Sequence, residues 1–476
     1  MCAVARRGAT APRRRSSVNR FGLSALLAVT LTAVLAAPAT ADTGQVPCPA
    51  RLPAGATCYG GQDANGAFYA FAIPADWNGS LVVHAHGGPD LAAPTADRPA
   101  EDLDRWAVAV HEGYALAGSS YRRGGYGTRM GAADTEHARE LFARRFGEPR
   151  KTFLHGQSWG GNVAAKTIEA YDSFDAALLT NGVLAGGSRG YDYRVDLRVV
   201  YQYYCRNHPR PDEPQYPLWM GLRADSTLTG AGLRARLQEC TGYQSPPAER
   251  SAPQQRNLDD ILAVTRIPES TLASHLTFAT FTFRDIVHHR LGGRNPFGNR
   301  GVRYTGSHDD AALNAGVERF SPTPSAARDL SYDSDPTGAV SIPVVTVHAI
   351  GDPTAFVEHE SAYRASRVGA GTAEHLVQAF TTETEHSALS DAEYAAALRA
   401  LVTWESTGRK PTPASIAADC PAADAKYGTG CFFDPAYQPA PYSAHVYPRP
   451  GGTRWPAMTA QQERLWERLG RVGIAH

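Results

Sequence analysis

The sequence predicts an α/β chain: a mostly parallel sheet flanked by helices, with a large cap insertion and a disulfide-stapled C-terminal extension. Three observations carry that reading. β-Branched apolar runs alternate with segments whose apolar residues recur at helical spacing. One run, Lys151-Thr152-Phe153-Leu154-His155, passes through a glycine-rich turn straight into a helical pattern, Asn162 to Ile168. The interval between Gly182 and Ile342 is too long for a structureless loop inside a compact domain and carries helical patterns of its own.

The elements follow in order. Residues 1–41 contain Arg6, Arg7, Arg13, Arg14, Arg15 and Arg20, then the apolar stretch Phe21 to Leu35, then Ala39-Thr40-Ala41. A basic start, a short apolar run and an A-x-A site predict a cleaved secretory signal peptide. The run falls short of the roughly 20 residues a spanning helix needs. Cleavage removes six arginines and no acids, which takes the formal charge from 0 to about −6. A mildly acidic, exported chain is a poor candidate for nucleic-acid binding, and no membrane contact is expected after cleavage. Four lysines among 47 basic residues point to a bacterial source of high genomic G+C.

Cys48, Cys58, Cys205, Cys240, Cys420 and Cys431 remain after cleavage, and an even count outside the cell favours disulfides. Sequence proximity favours pairing Cys48 with Cys58, Cys205 with Cys240 and Cys420 with Cys431, each short closed loop contributing about 3 kcal/mol.

The first part of the core, 42–182, reads as strands at 67–74, 80–86, 114–120, 151–155 and 175–181, with helices at 101–111, 130–146 and 162–168. The cap, 183–341, has helical patterns at 196–204, 218–228 and 258–264. Its Tyr191, Tyr193, Tyr201, Trp219, Phe278 and Phe283 either line an apolar pocket or form the cap's own core, the commoner role. The second part of the core, 342–410, holds strands at 342–349 and 376–380 and a helix from Val357. The Pro-rich remainder, 411–476, is the extension.

Gly156-Gln157-Ser158-Trp159-Gly160 is a G-x-S-x-G turn between a strand and a helix, the setting in which a serine hydroxyl projects above a sheet as a nucleophile. The amide N–H of Trp159, at the helix start, is free to stabilise an oxyanion. A second donor is expected from the loop His86-Gly87-Gly88-Pro89-Asp90, from Gly88 or else Gly87, because missing side chains let backbone N–H approach a substrate. The partners should come later in the chain. Gly351-Asp352-Pro353 ends a strand and offers Asp352 as the acid, and His386 follows the last strand as general base. Glu358, Glu383 and Glu385 are alternative acids. The pattern His84-x-His86 raises a metal site, but no third and fourth ligand is apparent in the sequence, so neither a metal nor a cofactor is expected.

Together the elbow, the His-Gly-Gly loop, Gly351-Asp352 and His386 resemble the α/β-hydrolase superfamily over about 68–408. Gly-Gln-Ser-Trp-Gly-Gly and His-Gly-Gly-Pro resemble the proline iminopeptidase branch, whose loop continues with Gly where this chain has Asp90. That branch also holds a free amino terminus with acidic cap residues, none of which map here. The resemblance implies a serine hydrolase acting on a small-molecule or short-peptide substrate: a secreted esterase or amidase, or an aminopeptidase. A non-catalytic binding module on the same fold is the alternative of another class.

Overall fold

The computed structural model describes residues 44–449; the expected signal peptide and residues 450–476 lie outside them. A nine-stranded sheet runs in the order β1-β2-β3-β5-β4-β6-β7-β8-β9. Its first strands, β1 (Gly44–Val46), β2 (Thr57–Gln62) and β3 (Phe68–Ile73), form an antiparallel meander. β3 lies antiparallel to β5 (Ala115–Ser119). From there β4 (Leu81–Ala85), β6 (Thr152–Gln157), β7 (Ala176–Thr180), β8 (Val344–Ala349) and β9 (Leu376–Thr381) are all parallel. This is the α/β-hydrolase fold. The parallel strands are buried throughout, as strands covered on both faces must be, which is why they read as near-continuous apolar runs.

On one face lie α1 (Asp97–Arg105), α2 (Ala107–His111), α12 (Asp391–Thr407) and α13 (Pro413–Tyr427); on the other lie α3 (Thr128–Phe146) and α4 (Trp159–Ala170). α11 (His359–Gly369) connects β8 to β9. Between β7 and β8 come the cap helices α5 (Asp192–Cys205), α6 (Gly230–Thr241), α7 (Ala252–Thr265), α8 (Leu272–Thr277), α9 (Asp310–Gly316) and α10 (Pro324–Ser334), with π-helical turns at Phe278–Thr282 and Asp285–Arg290. Tyr191, Tyr193, Tyr201 and Phe283 are buried in a core that runs on from the cap into the sheet, Tyr191 against Tyr126 and Tyr193 against Phe356, while Trp219 and Phe278 pack against it half-buried.

Three sequence expectations change. The helix expected at 218–228 is a single turn, Leu218–Met220, stopped by Gly221 at φ 70, where a side chain would run into Thr280 O. The helix expected at 101–111 is two, divided at Trp106, whose indole packs against His84, His155 and Tyr394. The extension begins with α13, capped by Thr412. Beyond it Phe433 bridges Thr381, and Asp434 N–H donates to Phe380 O at 2.8 Å, so the segment covers the open edge of β9. Disulfides join Cys48 to Cys58, Cys205 to Cys240 and Cys420 to Cys431. No helix among the described residues is long and apolar enough to cross a membrane.

Candidate active site

Ser158 sits between β6 and α4 at φ 60, ψ −126, a conformation that costs a non-glycine residue roughly 1–3 kcal/mol and persists only where its surroundings enforce it. They do so by close packing. A side chain at Gly156 would strike Gly160 O, and one at Gly160 would strike Ala85 O and His86 O, so only glycines let α4 lie this near β4 and β6. Ser158 N–H donates to Thr180 O at 3.0 Å, and Ser158 O accepts from Gly161 and Val183, both at 3.0 Å.

The loops after β8 and β9 bring two more groups to the serine. Ser158 Oγ lies 2.8 Å from His386 Nε2, and His386 Nδ1 lies 2.7 Å from Asp352 Oδ2. The carboxylate can only accept, so Nδ1 carries the hydrogen and Nε2 is left to accept from the hydroxyl. Of the four carboxylates considered from sequence, Asp352 is the one that meets His386. Glu358 faces His445 at 3.7 Å, Glu383 faces Glu393, and Glu385 is exposed.

Asp352 is buried and fully engaged: Oδ1 accepts from Thr354 and Ala355 N–H at 2.8 and 2.9 Å, and Oδ2 accepts from Asn181 Nδ2 at 2.9 Å. Burial alone would push its carboxyl up, but the His386 hydrogen bond and charge, the charge on His348 and the Thr354 N–H outweigh it and hold the group below its ordinary range. His348 itself is wholly buried, with Nδ1 3.1 Å from Glu360 Oε1 and Nε2 2.7 Å from Ala355 O. Burial opposes its charge, yet those acceptors at both nitrogens raise it, favouring an imidazolium 3.9 Å from Asp352.

The cap grips the same turn. Arg194 Nε donates to His275 Nδ1 at 3.1 Å, leaving His275 Nε2–H for Pro353 O at 2.9 Å, and Tyr193 OH donates to Thr354 O at 3.0 Å. Burial, with the Arg194 charge, pushes His275 down to about 3, so it serves as a neutral donor. Sequence reasoning missed His348, Glu360, Asn181 and His275. It also missed Gln157, whose amide donates to Ser387 Oγ beside His386. The His at the end of β8 was visible; its partner Glu360 lies on α11, and no local pattern joins them.

Opposite, the glycine loop passes over the elbow. A side chain at Gly87 would touch Gln157 O at 3.3 Å and Ser158 Cβ at 3.9 Å, so this glycine is the one set against the serine. Gly88, at φ 132, makes the turn that sends the chain on to Asp90. The loop's anchor is His86: Arg98 Nε donates to Nε2 at 2.6 Å, so Nδ1–H donates to Asp102 Oδ2 at 3.0 Å, while Tyr121 OH donates to His86 O at 2.9 Å.

Asp102, from α1, is the third candidate ligand that the sequence did not reveal: it gathers with His84 and His86 within 4.8 Å. Within the cluster His86 Nδ1–H donates to Asp102, and His84 Nδ1 is hydrogen-bonded to His155 Nδ1 at 3.0 Å, while His84 Nε2 stands 3.7 Å from Asp102 Oδ1. Burial, His155, His86, Arg105 and Arg98 together hold His84 well below its ordinary value, a field that also opposes a cation. Beside it lies a pocket of about 300 Å³ walled by His86, Asp90, Arg98, Glu101, Arg123 and Trp159.

No protein-family model matches the chain, and no curated protein matches its sequence. Solved structures similar to it include Candida antarctica lipase A in its closed state (13% identity over 78% of this chain and 82% of that one, TM-score 0.40). An esterase from Aspergillus oryzae shares 13% identity over 75% and 80%, with TM-score 0.38. A rice cell wall degrading esterase, LipA, from Xanthomonas oryzae shares 15% over 78% and 90%, with TM-score 0.32. Likeness of that order leaves activity to be argued from the chain's own residues.

Proposed function

We propose that the chain is a secreted serine hydrolase that cleaves a carboxylic ester or amide through an acyl-enzyme. The observation that carries this reading is the unbroken line from Ser158 Oγ through His386 to Asp352, 2.8 and 2.7 Å, at a strained elbow. Ser158 Oγ attacks the carbonyl carbon while His386 Nε2 takes its proton. The resulting oxyanion faces the Trp159 N–H and the Gly87–Gly88 loop, and Asp352 balances the imidazolium. Collapse expels the leaving group, which takes the proton from His386. Water, deprotonated by the same imidazole, then releases the acid and restores the serine.

The walls of the neighbouring pocket favour short, polar substrates over long acyl chains, since charged Arg98, Glu101 and Arg123 border it and its volume, about 300 Å³, is small for a ligand site. The aminopeptidase alternative needs a carboxylate for an amino terminus; Glu101 is paired with Arg98 at 3.2 Å, which leaves Asp90, whose Oδ1 accepts from Ala92 N–H at 2.9 Å, as the other carboxylate on that wall.

A fluorophosphonate probe, followed by assay on aryl acetates, aryl amides and amino-terminal peptides, tests the proposal. The expected result is covalent labelling of the wild type at Ser158, none of Ser158→Ala, and fastest turnover on a short acyl ester or amide. An unlabelled, inactive wild type would turn the reading towards a binding module. Secretion is tested separately: the exported protein should begin at Asp42 and titrate no free thiol.

A further inference from the structure

The loop that carries His386 rests on a pair of carboxyl groups with no cation between them. Glu383, three residues before His386, turns both side-chain oxygens inward, where no protein N–H or O–H meets them. What faces them, within hydrogen-bond reach, is the carboxyl of Glu393. Glu393 lies in the first turn of α12 and is wholly buried; its Oε2 accepts from Ser390 N–H at 2.9 Å and its Oε1 from Phe432 N–H at 2.7 Å. Two buried carboxyls at that range must share a proton, because both cannot be ionised.

The pair stands where three segments join. Glu383 O accepts from Gly351 N–H at 3.0 Å, fixing the loop to the turn that carries Asp352. Phe432 O accepts from Thr382 N–H at 2.9 Å, fixing it to the segment stapled by Cys420–Cys431. The surrounding charges are committed elsewhere. Arg105 donates to Ser387 O at 3.3 Å, and Asp391 pairs with Arg51 at 2.6 Å. Tyr394 OH bonds Thr180 Oγ1 at 3.4 Å, Asp424 accepts from Gly430 N–H at 2.7 Å, His386 is bound to Asp352, and Glu385 is exposed.

We propose that Glu383 and Glu393 form a proton-sharing pair that positions His386: with one proton it clamps the histidine loop to α12 and the stapled segment, and without it two like charges force that joint apart. Burial, then the hydrogen bond and charge of Glu383, push the Glu393 carboxyl up to about 8. The clamp therefore opens in mildly alkaline solution. A folded carboxyl that holds its proton to about 8, against an ordinary 4.5, makes the fold lose stability as pH rises between those values and no further above them.

The kinetic readout rests on the hydrolase reading; the melting readout does not. Glu383→Gln puts a permanent amide donor where the shared proton sits. On an aryl ester, corrected for spontaneous hydrolysis, wild-type kcat at pH 9 should fall to about a tenth of its value at pH 7.5, with KM little changed, while Glu383→Gln keeps more than about half. In melting curves from pH 5 to 8, the wild type should lose melting temperature more steeply than Glu383→Gln. Parallel melting slopes, or the same alkaline loss of kcat in both proteins, overturn the proposal. An inactive wild type with divergent melting slopes would sink the hydrolase reading and leave the carboxyl pair standing.

Discussion

Ser158 and its two partners are held by different kinds of structure. The serine is fixed by the sheet: β6 enters, α4 leaves, glycines at 156 and 160 allow the approach, and its backbone bonds to backbone at Thr180, Gly161 and Val183. Asp352 and His386 sit on loops whose positions come from elsewhere. The cap supplies His275 and Tyr193, β8 and α11 supply His348 and Glu360, and α12 with the C-terminal extension supplies Glu393 and Phe432. A serine built into a strand-to-helix turn is fixed locally, by the sheet that frames it; a histidine and an aspartate carried by loops are placed by the whole assembly.

The largest effect tests the local half. Ser158→Ala should cut turnover on the order of 10⁶-fold and leave the melting temperature close to wild type. Ser158→Gly removes the side chain that makes φ 60 unfavourable, and should melt later, by about 1–3 kcal/mol of stability. If Ser158→Gly gained nothing, the elbow would not be strained and the contrast between a forced serine and supported loops would fail.

Next comes Asp352→Asn, expected to lower kcat by roughly 10⁴ because the amide can neither fix the imidazole tautomer nor balance its charge. Substrate affinity should hold. The comparison sharpens if the same change with Glu358→Gln is near neutral. It breaks if Glu358 proves to be the essential acid.

The same division explains what the sequence made legible. The elbow could be read because strand, glycines, serine and helix are contiguous, and the strands on either side of the cap because buried parallel strands are unbroken apolar runs. β2 was not read: Thr57–Gln62 carries two glycines and no alternation, and it is a strand through its pairing with β3. The single turn at Leu218–Met220 mimicked a helix because its apolar residues fit the period, while the tight approach that requires Gly221 at its end is made by Thr280 O, far along the chain. Asp102 joining His84 and His86 was equally hidden, since α1 brings it across the sheet.

Replacing Cys420 and Cys431 together by serine opens a loop of sequence separation 11, a loss of about 3 kcal/mol in the chain-entropy model. Because Phe432 N–H is then less firmly presented to Glu393, kcat should fall by several-fold at neutral pH, with KM little changed. Replacing Cys205 and Cys240, which tie α5 to α6 within the cap, should cost similar stability but leave kcat nearly unaltered. Equal kinetic effects from both pairs would mean that the extension supports the histidine loop no more than the cap's own staple does.

The smallest expected effect is at Asp102, on the local side of the comparison. Its carboxylate accepts from His86 Nδ1–H at 3.0 Å, a hydrogen whose place is dictated by Arg98 donating to the other nitrogen. Asn in its place keeps the shape and one acceptor for that hydrogen, and its amide faces His84, whose Nε2 lies 3.7 Å from the present carboxylate. Burial keeps His84 neutral, so that nitrogen can accept. What is lost is the charge assistance to a single bond, about 1 kcal/mol. Tyr121 OH on His86 O and Gly125 N–H on Asp90 O, 2.9 and 2.6 Å, still hold the glycine loop over the elbow, so kcat should stay within about threefold of wild type. A fall beyond about a hundredfold at unchanged KM would place Asp102 in control of the oxyanion loop, and the serine's side of the site would then depend on distant support as much as the histidine's does.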